Sequence, residues 1–146
     1  MIYVKFKKLS DTAILPTKGS QGAAGYDLYA DLTSSIKLKP MEIRMIDTGI
    51  SVEIPPDYSG DVYARSGLST KRGLTLINGV GIIDSDYRGS IHVPLINLSG
   101  TTQEIAAHER IAQLIIRPAA EIKIIEADEL SPTERGAGGF GSTGRE

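Results

Sequence analysis

With 146 residues and 15.6 kDa, the chain is long enough to bury one core and too short for two of ordinary size, so a single domain is expected. A net charge of −2 and a pI near 5.7 exclude charge-driven binding along a nucleic acid, so any phosphate recognition must be local. The absence of cysteine excludes disulfides, thiolate metal sites and a cysteine nucleophile, and His92 and His108 are too few for a histidine-rich metal centre.

In chain order the pattern is mostly β. Ile2, Val4 and Phe6 alternate with Tyr3, Lys5 and Lys7, as in a half-buried strand; this opening segment has no signal-peptide core. Two short strands are expected at 41–46 and 49–54, around Asp47-Thr48-Gly49. Turn residues follow at Pro55-Pro56-Asp57 and again at Ser59-Gly60-Asp61. The one helix candidate runs from Ser66 to Lys71, with Ser66 or Ser69 as cap and Gly73 as its end. Asp86-Tyr87-Arg88-Gly89 is a further turn. Residues 90–97 then place Ile91, Val93 and Leu95 on one face, with Pro94 pointing to an edge or a bulge. Strands are expected at 110–117 and 121–126, and Ser99-Gly100 is a turn. No apolar run is long enough for a membrane helix, so a cytoplasmic location is expected. Many short strands between turns indicate a sandwich or barrel, and a small aliphatic core of this kind often gains burial by oligomerising.

Three segments carry chemistry. In Asn78-Gly-Val-Gly-Ile-Ile-Asp-Ser-Asp-Tyr-Arg-Gly89, Gly79 and Gly81 leave backbone groups open in an expected hairpin, where they can pair with a base edge. Asp84 at the strand end suits a general base on water, or simply a turn; Asp86 reads as structural. Around the helix start, Arg65, Ser66 and the Gly67 amide favour an anion, or form a capped surface helix. Asp27 is one inward acid in a strand pattern, and Gln113 can be a core amide satisfied by backbone. The third segment is the tail, Glu134 to Glu146. It has five glycines between Arg135 and Arg145 and too little apolar surface to offset its own ordering entropy. Such a segment is either a flexible tail or an anion-binding arm, in which Arg135, Ser142 and Thr143 contact phosphate and Phe140 covers a flat ring.

Five segments in order resemble the motifs of the trimeric deoxyuridine triphosphate nucleotidohydrolases, the dUTPases. They are Ala24-Gly-Tyr-Asp-Leu-Tyr-Ala30, Arg65-Ser-Gly-Leu68, Gly81-Ile-Ile-Asp-Ser-Asp-Tyr-Arg-Gly89, Glu109-Arg-Ile-Ala-Gln-Leu114 and Arg135 to Gly144. The resemblance implies an all-β fold, a distorted jelly-roll-like barrel with one short helix and a flexible glycine-rich arm. Residues 1–133 would form the core and 134–146 the lid. It implies a homotrimer with shared sites, without membrane or stable nucleic-acid binding. The implied reaction is Mg²⁺-dependent hydrolysis of dUTP to dUMP and pyrophosphate, which limits uracil in DNA and supplies dUMP for thymidylate synthesis. Carried over by position, Asp84 would activate the attacking water and touch the 3′-OH, with Asp27 and Gln113 as the other catalytic positions. Asn78 and the backbone near Gly81 would read uracil, Ile83 would be a further substrate-binding position, and Tyr87 would pack beneath the deoxyribose. Arg65, Ser66, Gly67 and Gln113 would contact phosphate, and Arg135, Phe140, Gly141, Ser142 and Thr143 would close over the substrate. No direct metal ligand is implied: Mg²⁺ would be held mainly by the triphosphate and by water near Asp27.

The chain departs from the commonest family pattern at Ala64, where proline is frequent, at Ser69-Thr70, and at Arg72, which replaces a frequent histidine and is expected to alter the phosphate field. Two other readings remain. A dCTP deaminase of the same superfamily would need a glutamate base at the nucleobase, and a dUTP-responsive protein-binding module would need no turnover.

Overall fold

The computed structural model describes residues 1–139. Among them, in chain order, are β1 (Lys5–Lys8), β2 (Thr17–Lys18), β3 (Tyr26–Tyr29), β4 (Ile36–Leu38), β5 (Ile43–Asp47), β6 (Ile50–Glu53), β7 (Tyr58–Ala64), α1 (Ser66–Arg72), β8 (Leu74–Leu76), β9 (Gly81–Ile83), β10 (His92–Asn97), β11 (Gln103–Ile105) and β12 (Arg110–Pro118). The protein is all-β with one short helix, as expected. The strands pair antiparallel in four sheets: β1-β6, β5-β10-β8, β11-β4 and the largest, β2-β3-β12-β7-β9. Most neighbours within a sheet are distant in sequence, so consecutive strands pass between sheets and wrap one aliphatic core. Leu28, Leu38, Ile46, Ile50, Ile54, Leu74, Leu95, Ile105, Ile111 and Leu114 are fully buried in it. Each such side chain contributes roughly 1.5–3 kcal/mol by leaving water.

Several local expectations change in the folded chain. The first strand starts at Lys5, and Ile2 is exposed. Ser59-Gly60-Asp61 is no turn but lies inside β7; a side chain at Gly60 would meet Ile54 Cδ1 at 2.9 Å, so glycine there lets Ile54 pack onto the strand. Pro94 sits in the middle strand of its sheet, not at an edge. It is tolerated because β8 ends at Leu76, and the Pro94 carbonyl still accepts the Ile77 amide at 3.0 Å. β8 and β9 do not form a hairpin: β8 pairs with β10 and β9 with β7. Residues 121–126 form no strand; Ile122, Ile124 and Ile125 are exposed because no sheet edge of the same chain receives them.

Helix α1 has no serine cap. Arg65 stands at the N-cap position without a side-chain cap bond, Ser66 is the first helical residue, and Ser69 Oγ instead donates to the Leu74 carbonyl at 3.2 Å. The helix stops at Gly73, whose φ of 66° places it in the left-handed region, and its amide turns back to the Leu68 and Ser69 carbonyls.

Candidate active site

One concave site forms where β3, β12 and α1 meet. Asp27, on β3, is only 8% exposed and is directly opposite Gln113 on β12. Burying a carboxylate requires partners, and it has two: Arg65 Nε lies 2.9 Å from Oδ1 and Arg110 Nη1 lies 3.1 Å from Oδ2. Arg65 Nη1 also donates to the Arg110 carbonyl at 3.0 Å. Gln113 Nε2 donates to the Ala64 carbonyl at 3.0 Å, in line with the core-amide reading. A register shift between Arg110 and Ala112 marks a bulge in β12; Ile111 and Ala112 are both buried while Arg110 and Gln113 face the pocket. With Ser66 and Gly67 at the rim, the pocket holds two guanidiniums against one carboxylate. Its surplus of one positive charge, already oriented, suits a polyanion.

A second pocket lies along β9. Asn78, Gly81, Ile83, Asp84 and Tyr87 line it, together with Val62, Met45, Ser90 and His92. β9 is the edge strand of the largest sheet, bonded to β7 on one side only, so its outer backbone groups are open to a base. Ile83 is buried and Ile82 is exposed. Asp84 itself is exposed, and its carbonyl accepts the Tyr87 amide at 3.1 Å, closing the turn. The Tyr87 hydroxyl donates to the Ser90 carbonyl at 3.0 Å, and its ring lies over Gly89: an added Cβ there would stand 2.6 Å from Cζ. Gly89 thus fixes where the ring lies.

Behind this pocket, Asp47 accepts the Gly49 amide at 2.8 Å and the Ser90 hydroxyl, and His92 Nε2 is 3.6 Å from its other oxygen. Partial burial pushes this carboxyl up, but the Ser90 hydroxyl, the Gly49 amide, the His92 ring and the Thr48 amide together outweigh it and hold it below its ordinary range.

The sequence-predicted residues therefore fall into two groups that a single chain does not join. Asp27, Arg65, Ser66, Gly67 and Gln113 share the first pocket; Asn78, Gly81, Ile83, Asp84 and Tyr87 share the second. β3 and β9 are three strand spacings apart in the sheet, and Asp84 is level with Ser59 while Gln113 is level with Tyr63. At about 4.8 Å per strand and about 3.3 Å per residue, the groups are on the order of 20 Å apart. Arg135 joins neither pocket: its Nε donates to the Gly138 carbonyl at 2.7 Å. Phe140, Gly141, Ser142 and Thr143 lie outside the described residues.

Arg110 and Gly89 were not anticipated, although both lie inside the quoted motifs. Arg110 would have required the β12–β3 register, which brings it to Asp27 across 83 residues of sequence. The Arg72 guanidinium is bound to Glu109, to the Gln103 side chain and to the Glu104 carbonyl, outside the pocket lining.

Comparison with known proteins supplies the context for this geometry. Residues 11–144 match the dUTPase family model. The deoxyuridine 5′-triphosphate nucleotidohydrolase of Nautilia profundicola is 49% identical over 142 residues, 97% of this chain and 99% of that protein. The enzyme of the same name from Thermoanaerobacter sp. is 46% identical over 145 residues, covering 98% of each. Among solved structures, the Staphylococcus bacteriophage 80alpha dUTPase with dUPNHPP superposes with a TM-score of 0.91 at 29% identity, covering 99% of both chains.

Proposed function

This chain belongs to the dUTPase family and is a dUTP nucleotidohydrolase; we propose that it acts by water attack on the α-phosphorus, in a homotrimer whose sites each draw on more than one chain. The separation of the two pockets carries this reading. Asp84 must reach a water at the α-phosphorus while Arg65 and Arg110 must reach oxygens of the same triphosphate, and one chain holds these groups at opposite ends of β7. A second copy supplies the missing half. The exposed Ile122, Ile124 and Ile125 and an apolar groove beside Phe6, Tyr26, Leu114 and Ile116 support association.

In the assembled site the open edge of β9 and Asn78 read the uracil edge, and Tyr87 packs beneath the deoxyribose. Asp84 takes a proton from the attacking water and contacts the 3′-OH. The Asp27–Arg65–Arg110 cluster holds the polyphosphate; its surplus positive charge stabilises the oxygens and the departing pyrophosphate. Arg135, Phe140, Ser142 and Thr143, from the glycine-rich segment, close over base and phosphates. The described residues contain no group of three or more metal-ligating side chains. That donor set fits Mg²⁺, which takes few protein ligands and keeps its waters: the substrate phosphates would hold it, with Asp27 supporting it through water. When bound, Mg²⁺ would neutralise phosphate charge. No glutamate of the same chain lines the β9 pocket among the described residues, which favours the hydrolase over the deaminase reading.

Subunit mixing tests the shared site. Asp84→Asn and Arg65→Ala are each expected to be inactive alone. After denaturation and refolding together in equal amounts, about a quarter of the sites would combine an intact Asp84 from one chain with an intact Arg65 from another. Recovered pyrophosphate release from dUTP supports the proposal; mixed trimers without recovery would place both halves in one chain and overturn it.

A further inference from the structure

The two ends of helix α1 are tied to two adjacent residues of the chain, the start to Arg110 and the other end to Glu109. At its start, Arg65 pairs with Asp27, which also holds Arg110, and Arg65 Nη1 donates to the Arg110 carbonyl at 3.0 Å. At its other end, Arg72 Nη1 pairs with Glu109 Oε1, Nη2 donates to the Glu104 carbonyl, and Nε reaches Gln103 Oε1 at 3.3 Å. The second Glu109 oxygen accepts the Ala106 amide at 2.9 Å, so this carboxylate is fixed from both sides. The Arg72 and Glu109 side chains are 30% and 23% exposed, which withdraws the pair from much of the screening that weakens surface ion pairs. Neither residue lines the pocket that holds Arg65 and Arg110.

We propose that the Arg72–Glu109 ion pair is a positioning device for phosphate recognition: it fixes α1 against the start of β12, and so sets the spacing at which Arg65 and Arg110 grip one polyphosphate. The proposal rests on the reading of the Asp27–Arg65–Arg110 pocket as the phosphate-binding half-site. Arg65 and Arg72 are joined by a single rigid helix, while Glu109 and Arg110 are neighbours. A slip of α1 along β12 would therefore change the distance between the two gripping guanidiniums. Two charged groups closing on one ligand tolerate little misplacement, and an error of about 1 Å costs up to ~10²-fold.

The sign of one substitution separates position from field. Glu109→Gln removes a negative charge and frees the Arg72 charge. If the pair acted only through its field, the pocket would become more positive and a polyphosphate would bind more tightly. If it acts by position, binding weakens although the local charge has become more favourable.

The test is calorimetric titration with dUPNHPP and, separately, with deoxyuridine, which carries no phosphate. Glu109→Gln, Arg72→Gln, the double variant and Arg65→Ala are compared with the parent, with mass and Tm recorded on the same samples. Each single change at 72 or 109 should weaken dUPNHPP roughly tenfold. The double variant should cost no more than either single, because both remove one interaction. Deoxyuridine affinity and assembly should be unchanged. Parent-like or tighter dUPNHPP binding in Glu109→Gln overturns the proposal, as does an equal loss for deoxyuridine, which would indicate general loosening. If Glu109→Gln does not assemble, Arg72→Lys carries the same test: it keeps the charge but loses the guanidinium fork, so a selective loss of dUPNHPP supports positioning and parent-like binding overturns it. Undiminished dUPNHPP binding by Arg65→Ala defeats the half-site reading itself. Weak binding by Arg65→Ala with normal binding by Glu109→Gln defeats only the positioning role.

Discussion

Under the proposed function the two pockets solve opposite problems. The one around Asp27 is built from charge and is set before any ligand arrives: a nearly buried carboxylate holds two arginines in place, and a further ion pair braces the helix that carries one of them. The one along β9 is built from backbone and shape: an unpaired strand edge, a ring laid over a glycine, and one exposed carboxylate. Polyphosphate is flexible and highly charged, so its recognition depends on donors that are already oriented. A base is rigid and nearly neutral, so its recognition depends on clearance and on a matching hydrogen-bond edge. The lesson is that damage should be of different kinds in the two places. Changes at the charged pocket should weaken phosphate binding, whereas changes along β9 should alter chemistry or selectivity with phosphate binding intact.

The sharpest test of that division is Asp84→Asn, which keeps the side-chain size but cannot take a proton. It should bind dUPNHPP nearly as the parent does and lose about 10²–10⁴ in kcat. A near-normal kcat would remove Asp84 from the role of base. Deleting everything after Thr133 comes next. If the glycine-rich segment supplies phosphate donors and excludes water, kcat/KM for dUTP should fall on the order of 10²-fold. Tm and the trimeric assembly should persist, its mass reduced from the parent's three times 15.6 kDa only by the deleted residues. A parallel fall in Tm would make the segment structural instead.

Gly89→Ala probes shape alone. The added methyl overlaps the Tyr87 ring, so the ring must move from the position at which it would crowd a 2′-OH. The preference for dUTP over UTP, measured as a ratio of kcat/KM values, should narrow about tenfold. Tyr87→Ala should narrow it likewise, and an unchanged ratio in both would end the sugar-discriminating role.

The smallest expected effect concerns Asp47, behind the β9 pocket. Its carboxyl is held below its ordinary value of 3.8, so the ionised form stabilises the fold; that contribution is complete above this value and is lost as the pH falls through the lowered one. Asp47→Asn should therefore cost about 1 kcal/mol near neutral pH, a modest figure because half of the side chain is exposed and solvent screens it. The gap from the parent in a denaturation series should close below about pH 4. A gap independent of pH would assign the loss to packing.

Which residues line the two pockets was largely legible from sequence, because the groups concerned are short polar runs set between aliphatic alternation. Asp27, Arg65, Asn78, Asp84, Tyr87 and Gln113 were all singled out there, with their roles given by the family resemblance. Their partners were not. Nothing near Asp27 in sequence points to Arg110, and nothing near Arg72 points to its partner Glu109. The alternation at 121–126 looked like a strand, yet the amides and carbonyls of such a run need a neighbouring strand that the same chain does not offer. Pro94 looked like an edge because the local rule knows nothing of where β8 stops.

By itself the sequence determined the β class, the aliphatic core, the place of the helix and its glycine stop, and the chemical character of each polar run. These depend on side-chain period and backbone freedom, which are local. Only the tertiary structure decided which strands are neighbours, and with that the pairing of Asp27 with two arginines, the bracing of α1, and the separation of the two pockets. Those relations depend on register between strands distant in sequence, and a one-residue change of register turns every side chain of a strand to the opposite face.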